Sequence, residues 1–157
     1  MKRIVLGMVS GLVLAGVAIA GPYEDAIEAL DQGDLDTSLK LLRQAGGQGN
    51  VTAQNLLGGM YRTGYLQIRQ DPVESVKWYL MAANQADRDA QFRLGRSHET
   101  GTGTDRNPVL AFMWYELAAA GDHSQARENR DRLAASLSGE QLAEARRLAR
   151  DWKPEDR

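Results

Sequence analysis

Cysteine is missing from the sequence, which excludes disulfide bonds and thiolate ligands or nucleophiles. Histidine is nearly as scarce, with 2 residues in 157. Neither histidine has other ligating side chains at metal-site spacing, so the sequence predicts no metal and no cofactor. Residues 122–124 collect Asp, His and Ser, but neighbours on a helix point about 100° apart. Because a catalytic triad needs side chains that converge from separate segments, this run does not indicate an active site.

An excess of charge of one sign is missing too. The chain carries 19 basic and 21 acidic residues, mixed along its length, for a formal net charge of −2. We therefore expect no polybasic surface for nucleic acid or for an acidic membrane.

Motifs of nucleotide and β-lactam chemistry are absent as well. Gly101-Thr-Gly-Thr104 lacks the Lys-Ser/Thr of a phosphate-binding loop, and neither S-x-x-K nor K-T-G occurs.

The N-terminus carries an apolar segment that begins with two basic residues. Residues 4–19 are apolar or small, and Ala18-Ile-Ala20 fits a small-x-small cleavage site. This pattern predicts a signal peptide over residues 1–20, cleaved before Gly21. The alternative is an uncleaved membrane anchor, for which the run is short, because a spanning helix needs about 20 apolar residues. We expect export to a bacterial periplasm and no stable membrane insertion after cleavage, with extracellular release or N-terminal anchoring as alternatives.

Residues 53–126 contain one pattern written twice. Trp78 and Trp114 lie 36 positions apart, and Ala53 and Ala90 lie 37 apart. Self-similarity at this period predicts a solenoid of stacked helical hairpins. The other matched positions are Leu57 and Leu94, Gly58 and Gly95, Tyr61 and His98, Gly64 and Gly101, Tyr79 and Tyr115, Ala82 and Ala118, and Ala83 and Ala119.

The repeated residues have packing roles. Large side chains against small ones allow two helices to interdigitate, so Trp78 and Trp114 predict core packing against alanine notches, equally enclosed in both repeats. Recurrence at the repeat period favours this interpretation over a stacking platform for sugars or bases. Gly58 predicts the close approach of a neighbouring backbone. His98 stands in a slot that is aromatic in the other repeat, which predicts a half-buried packing residue.

Cap and turn residues divide each repeat into two helices. Asp71 and Asn107 each precede a proline and predict N-caps. Glu74, three residues after Asp71, completes a capping-box pattern. Gly64 and Gly101 predict the ends of the first helices.

Weaker units flank the two repeats, as terminal repeats with a solvent-facing side generally do. In the first unit, Asp34 or Asp36 caps the second helix. At the other end, we expect Asp122 to cap one helix, a Ser138–Gln141 capping box to begin the last one, and the tail from Pro154 to fray. The predicted domain spans 21–157 as a single helical repeat domain, divided into a degenerate N-terminal unit (21–50), repeats at 53–89 and 90–125, and C-terminal capping helices (126–152).

These residues resemble the Sel-1-like repeat, a relative of the tetratricopeptide repeat. The family pattern is A-x-x-x-L-G-x-x-Y-x-x-G-x-G followed by a second helix with W-Y-x-x-A-A-x-x-G. His98, Leu66 and Ala86 depart from it at the tyrosine, second loop glycine and closing glycine. The resemblance implies an all-α fold, a right-handed α/α solenoid of about four helical hairpins. It also implies protein–protein interaction without catalysis.

A peptide or partner helix is expected to bind the concave surface along the first helices. Its candidate residues are Asn55, Arg62, Phe92, Arg96 and Glu99. Phe92 serves there as an apolar anchor and the arginines pair with carboxylates, or else Phe92 simply packs between units. The favoured function is thus an exported, monomeric interaction scaffold or adaptor of unknown partner. An envelope signalling regulator is the alternative, and a cell-wall or β-lactam-acting enzyme is less favoured.

Overall fold

The computed structural model describes residues 21–155, so the predicted signal peptide lies outside the described residues. Within them the fold is all-α, as predicted, and the β-type pairing is an isolated bridge between Tyr65 and Ile68. The helices are α1 (Pro22–Asp31), α2 (Leu35–Gly47), α3 (Val51–Thr63), α4 (Pro72–Ala83), α5 (Arg88–Thr100), α6 (Pro108–Ala120), α7 (Ser124–Ala134) and α8 (Gly139–Asp151). The first six form three hairpins that stack in chain order, and α7 and α8 both pack on α6.

Side-chain caps begin most of these helices. The caps that accept backbone N–H groups of the first turn are Asp34, Asn50, Asp71, Asp87, Asn107 and Ser138. The capping box of Ser138 and Gln141 is present in both directions, as predicted. Each cap removes an unsatisfied donor and stabilises the fold by about 1 kcal/mol.

One predicted capping box, at Asp71 and Glu74, and one predicted N-cap, Asp122, are wrong. Glu74 makes no capping box, because its carboxylate binds Lys77 at 2.9 Å and the Asp71 N–H donates to the Tyr61 carbonyl at 2.8 Å. Asp122 has a left-handed φ of 63° and precedes the true cap. His123 begins α7 instead, with its Nδ1 accepting the Ala126 N–H at 3.2 Å.

Inside each repeat a tyrosine ring packs directly against a glycine. A Cβ placed on Gly58 would be 2.6 Å from Tyr79 Cε1, and one on Gly95 would be 2.5 Å from Tyr115 Cδ1. Both rings are buried, with 4% and 0% of their surface exposed. The neighbour that Gly58 admits is therefore an aromatic ring rather than a backbone. Ser75 Oγ donates to the Gly58 carbonyl at 2.7 Å and ties the same two helices.

Between repeats, a buried glutamine joins the first helix of one hairpin to the last turn of the preceding one. Gln54 Nε2 donates to the Gly46 carbonyl at 2.7 Å, and Gln91 Nε2 donates to the Ala83 carbonyl at 3.4 Å. The two glutamines occupy matching repeat positions, 37 apart. Because a buried amide needs partners, each bond favours one register between hairpins.

The two repeat tryptophans are not equally enclosed, contrary to the prediction. Trp114 is buried at 6% exposure and is covered by Trp152, whose ring centroid lies 6.3 Å away. Trp78 is half-buried and lies against Gly46 at the end of α2. Among the residues described here, Trp78 has no aromatic ring over it. The indole of Trp78 consequently lacks the aromatic cover that Trp152 gives to Trp114.

The C-terminal segment folds back onto α4 instead of fraying before residue 155. Glu155 N–H donates to the Asn84 carbonyl at 2.8 Å, and Asn84 Nδ2 donates to the Glu155 carboxylate at 2.5 Å. A second contact between distant residues lies at Gly103, whose φ is 76° and whose added Cβ would be 2.1 Å from the Pro72 carbonyl oxygen.

Between residues 21 and 155, no helix combines the length and apolar character needed to cross a membrane.

Candidate protein-binding surface

The first helices of successive hairpins border three grooves. The groove between α1 and α3 has a volume of about 270 Å³ and is mostly apolar. The groove between α3 and α5 has about 260 Å³, and the one between α5 and α7 about 430 Å³. The predicted face therefore corresponds to a set of real depressions. All five candidate residues border at least one of them, and Glu99 lines the α5–α7 groove beside Phe92 and Arg96.

The α3–α5 groove, which we call the arginine groove, is basic. Its lining is Arg62, Gln70, Pro72, Ser75, Arg93, Arg96, Ser97, Thr100 and Thr102. No carboxylate is among these residues. Arg62 and Arg96 are exposed and Arg93 is half-buried. The sequence prediction named two of the three arginines. Arg93 was missed, although its position three residues before Arg96 places both on one helix face.

Both carboxylate oxygens of Glu99 bind other side chains of the fold. Its Oε2 accepts the Tyr115 hydroxyl at 2.7 Å, and its Oε1 accepts Arg132 Nη2 at 2.6 Å. It thereby connects α5 to both α6 and α7. Burial, followed by this hydrogen bond to a carboxylate, raises the pKa of Tyr115 well above its usual range. Glu99 is therefore a poor candidate for contacting a partner.

Phe92 is buried, with 6% of its surface exposed, so its ring offers little area to a partner. It stacks on the His123 ring at a centroid distance of 4.3 Å and packs against Tyr115 at 5.9 Å. Packing between units, the alternative weighed from the sequence, describes its position. Asn55 is half-buried and borders the apolar α1–α3 groove.

His98 is half-buried, as expected from its slot in the repeat. Burial lowers the pKa of His98, and its Nδ1 lies 3.4 Å from the Asp105 carbonyl. Within residues 21–155, no group of three His, Cys, Asp or Glu side chains has the geometry to hold a metal ion.

Comparison with known proteins identifies the repeat. The Sel1 repeat family pattern matches residues 51–87 and 88–123, which contain the second and third hairpins. A crystal structure of a Sel1 repeat protein from Oxalobacter formigenes is 35% identical, with a TM-score of 0.65 over 70% of this chain and 85% of that one. This chain belongs to the Sel1 repeat family. A protective antigen of uropathogenic Escherichia coli displaying an SLR fold is 25% identical to this Sel1 repeat chain, with a TM-score of 0.71 over 82% of the chain and 28% of the antigen.

Curated relatives of this Sel1 repeat chain are longer proteins. The chitin synthase regulator SKT5 of Saccharomyces cerevisiae is 34% identical over 74% of the chain and 17% of its own length. The alginate biosynthesis protein AlgK of Pseudomonas syringae is 35% identical over 66% of the chain and 22% of its own length. The chain thus spans roughly a fifth of each. Sel1 repeats generally mediate protein–protein interaction.

Proposed function

We propose that this protein is a non-catalytic scaffold or adaptor that binds a peptide or partner protein across the faces of α3 and α5. The observation that supports this most is the run of grooves between successive first helices, with exposed Arg62 and Arg96 in the central one. A helical repeat array presents such grooves as one extended surface. The proposal includes export to the periplasm, for which the support is the sequence of residues 1–20.

A photo-crosslinking residue at Asn55 or Arg96 tests the proposal in the organism of origin. The same residue at Lys77, exposed on the second helix α4, is the matched control. We expect a discrete crosslinked partner from the α3 and α5 positions and none from Lys77. Crosslinks of equal yield from all three positions, or from Lys77 only, would refute the assigned face.

A regulatory role is the second candidate. The relative from Saccharomyces cerevisiae is named as a regulator of an enzyme, which favours a partner whose activity changes on binding. Adding this purified chain to the crosslinked partner separates the two roles. A changed activity of the partner supports regulation, and an unchanged activity leaves the scaffold.

A further inference from the structure

The three guanidinium groups of the arginine groove have no carboxylate partner in the region from residue 21 to 155. Among the ten other arginines between residues 21 and 155, four have a carboxylate partner and six, including Arg146 and Arg150, have none. Arg130 binds Glu116 at 3.2 Å, and Arg147 binds Glu144 at 2.7 Å. The groove is distinguished by three unpaired arginines that line one depression without an acidic residue, in a chain whose formal net charge is −2.

No ion pair within the described residues accounts for this arrangement. Arg93 and Arg96 are three residues apart on α5, and like charges at that spacing repel and slightly destabilise a helix. Arg62 approaches the same groove from α3. A cluster of like charges without a carboxylate partner between residues 21 and 155 is suited to an external anion.

We propose that the arginine groove binds the carboxylates of an acidic peptide segment of the partner, a proposal that rests on the function proposed above. A guanidinium presents a planar fork of donors that matches a carboxylate, and two forks on facing helices can hold two adjacent acidic residues. The hydroxyls of Ser97 and Thr102 add neutral donors along the wall. The lining contains no aromatic ring for base stacking, which favours a peptide over a single-stranded nucleic acid.

The apolar α1–α3 groove supplies a second anchor on the other side of α3. Its walls include Leu30, Leu56, Met60 and Tyr65, and none of its lining residues is charged. Arg62 and Thr63 are consecutive, yet each borders a different groove, so only the width of α3 separates the two grooves. A helix is about 10 Å across and an extended chain spans about 3.3 Å per residue. The bound segment therefore carries an apolar side chain about three or four residues from its acidic pair.

Fluorescence anisotropy with short labelled peptides tests this on the full chain. One probe peptide has a leucine and, about four residues away, two glutamates. The second replaces both glutamates by glutamines, and the third replaces the leucine by serine. The protein variants are the double substitution Arg62→Gln with Arg96→Gln, and a charge-matched control, Arg146→Gln with Arg150→Gln on the exposed face of α8.

We expect the acidic peptide to bind about tenfold more tightly than its glutamine version, and the groove variant to lose about tenfold while the α8 control stays within about twofold. The serine version should bind about threefold to tenfold more weakly than the leucine peptide. Equal binding of the glutamate and glutamine peptides, or equal loss in both double variants, would overturn the proposal. So would tighter binding of a single-stranded oligonucleotide of equal charge through the same arginines.

Failure here is distinct from failure of the proposed function. Crosslinks at Asn55 and Arg96 without preference for the acidic peptide would remove the carboxylate proposal and keep the scaffold. Acidic-peptide binding without any crosslinked partner at these positions would remove the scaffold on this face.

Discussion

Two adjacent glycines of α3 should respond to alanine in opposite directions. A methyl group on Gly58 would lie 2.6 Å from Tyr79 Cε1, whereas one on Gly59 would have its nearest neighbour, the Tyr79 hydroxyl, at 3.8 Å. Ordinary carbon contacts are about 3.5–4.0 Å, so the first variant forces a movement of about 1 Å on a ring that is 4% exposed. Forced overpacking of this kind typically costs about 1–3 kcal/mol.

Helix propensity acts equally on both variants. Replacing glycine by alanine inside a helix stabilises by about 1 kcal/mol. Gly59→Ala should therefore gain about 0.5–1 kcal/mol, and Gly58→Ala should lose up to about 2 kcal/mol after the same gain is subtracted. Because the propensity contribution cancels in the comparison, the difference between the two variants measures the clash alone.

Urea denaturation followed by far-UV circular dichroism measures both free energies of unfolding, and the midpoint temperatures should differ by several degrees. In a Tyr79→Leu background the ring is gone, so Gly58→Ala should then behave like Gly59→Ala. Equal stabilisation by both alanines in the unaltered background would refute the account of Tyr79 lying on Gly58.

Three further outcomes are expected. Asp87→Ala removes the cap of the Ala90 N–H, and urea denaturation should show a loss of about 1 kcal/mol, with Asp87→Asn largely retaining the stability. Burial lowers the pKa of His98 below its ordinary value of 6.5, so the folded state binds fewer protons than the unfolded state. The stability that neutral His98 contributes is present above its ordinary pKa and is lost as the pH falls through its lowered folded-state pKa. The urea midpoint of His98→Phe should therefore fall less on acidification than that of the unaltered chain. Trp152→Ala uncovers Trp114 and should cost about 1–2 kcal/mol with a weaker near-UV signal, and an unchanged signal would contradict the edge contact between the two indoles.

The helices and their order could be predicted because their signals are local. Asp34, Asn107 and Ser138 each cap a backbone group within three residues, so short sequence patterns contain both partners. The prediction failed where a second partner competed. Glu74 had the spacing of a capping box, but Lys77 one turn later takes its carboxylate.

Contacts between helices were predicted less well. The pairing of Gly58 with Tyr79 and the tail bond from Glu155 to Asn84 join residues far apart in sequence. Periodicity shows which residues recur but not which face meets which neighbour. The unequal burial of Trp78 and Trp114 has the same origin, because Trp152 lies outside the repeat pattern.

The candidate surface illustrates a third limit. The candidate residues were chosen because they lie on the helix face opposite the packing face. Arg62 and Arg96 are indeed exposed. Phe92 is buried, and Glu99 is bound to Tyr115 and Arg132. Exposure depends on the neighbouring hairpin, and an ion pair depends on a side chain from another helix. Neither is contained in the period of a single helix.

At Gly103 the second and third hairpins approach each other main chain to main chain, because an added Cβ would lie 2.1 Å from the Pro72 carbonyl oxygen. A side chain at this contact could rotate away, but the carbonyl of the first residue of α4 cannot. We therefore expect the angle between the two hairpins to be insensitive to substitutions of nearby surface residues. Tandem copies of residues 88–123 would therefore repeat one fixed bend and build an array of constant curvature. In residues 51–87 the position that corresponds to Gly103 is Leu66, which is 73% exposed. Tandem copies of that repeat would lack the close main-chain contact and would form a superhelix of more variable curvature.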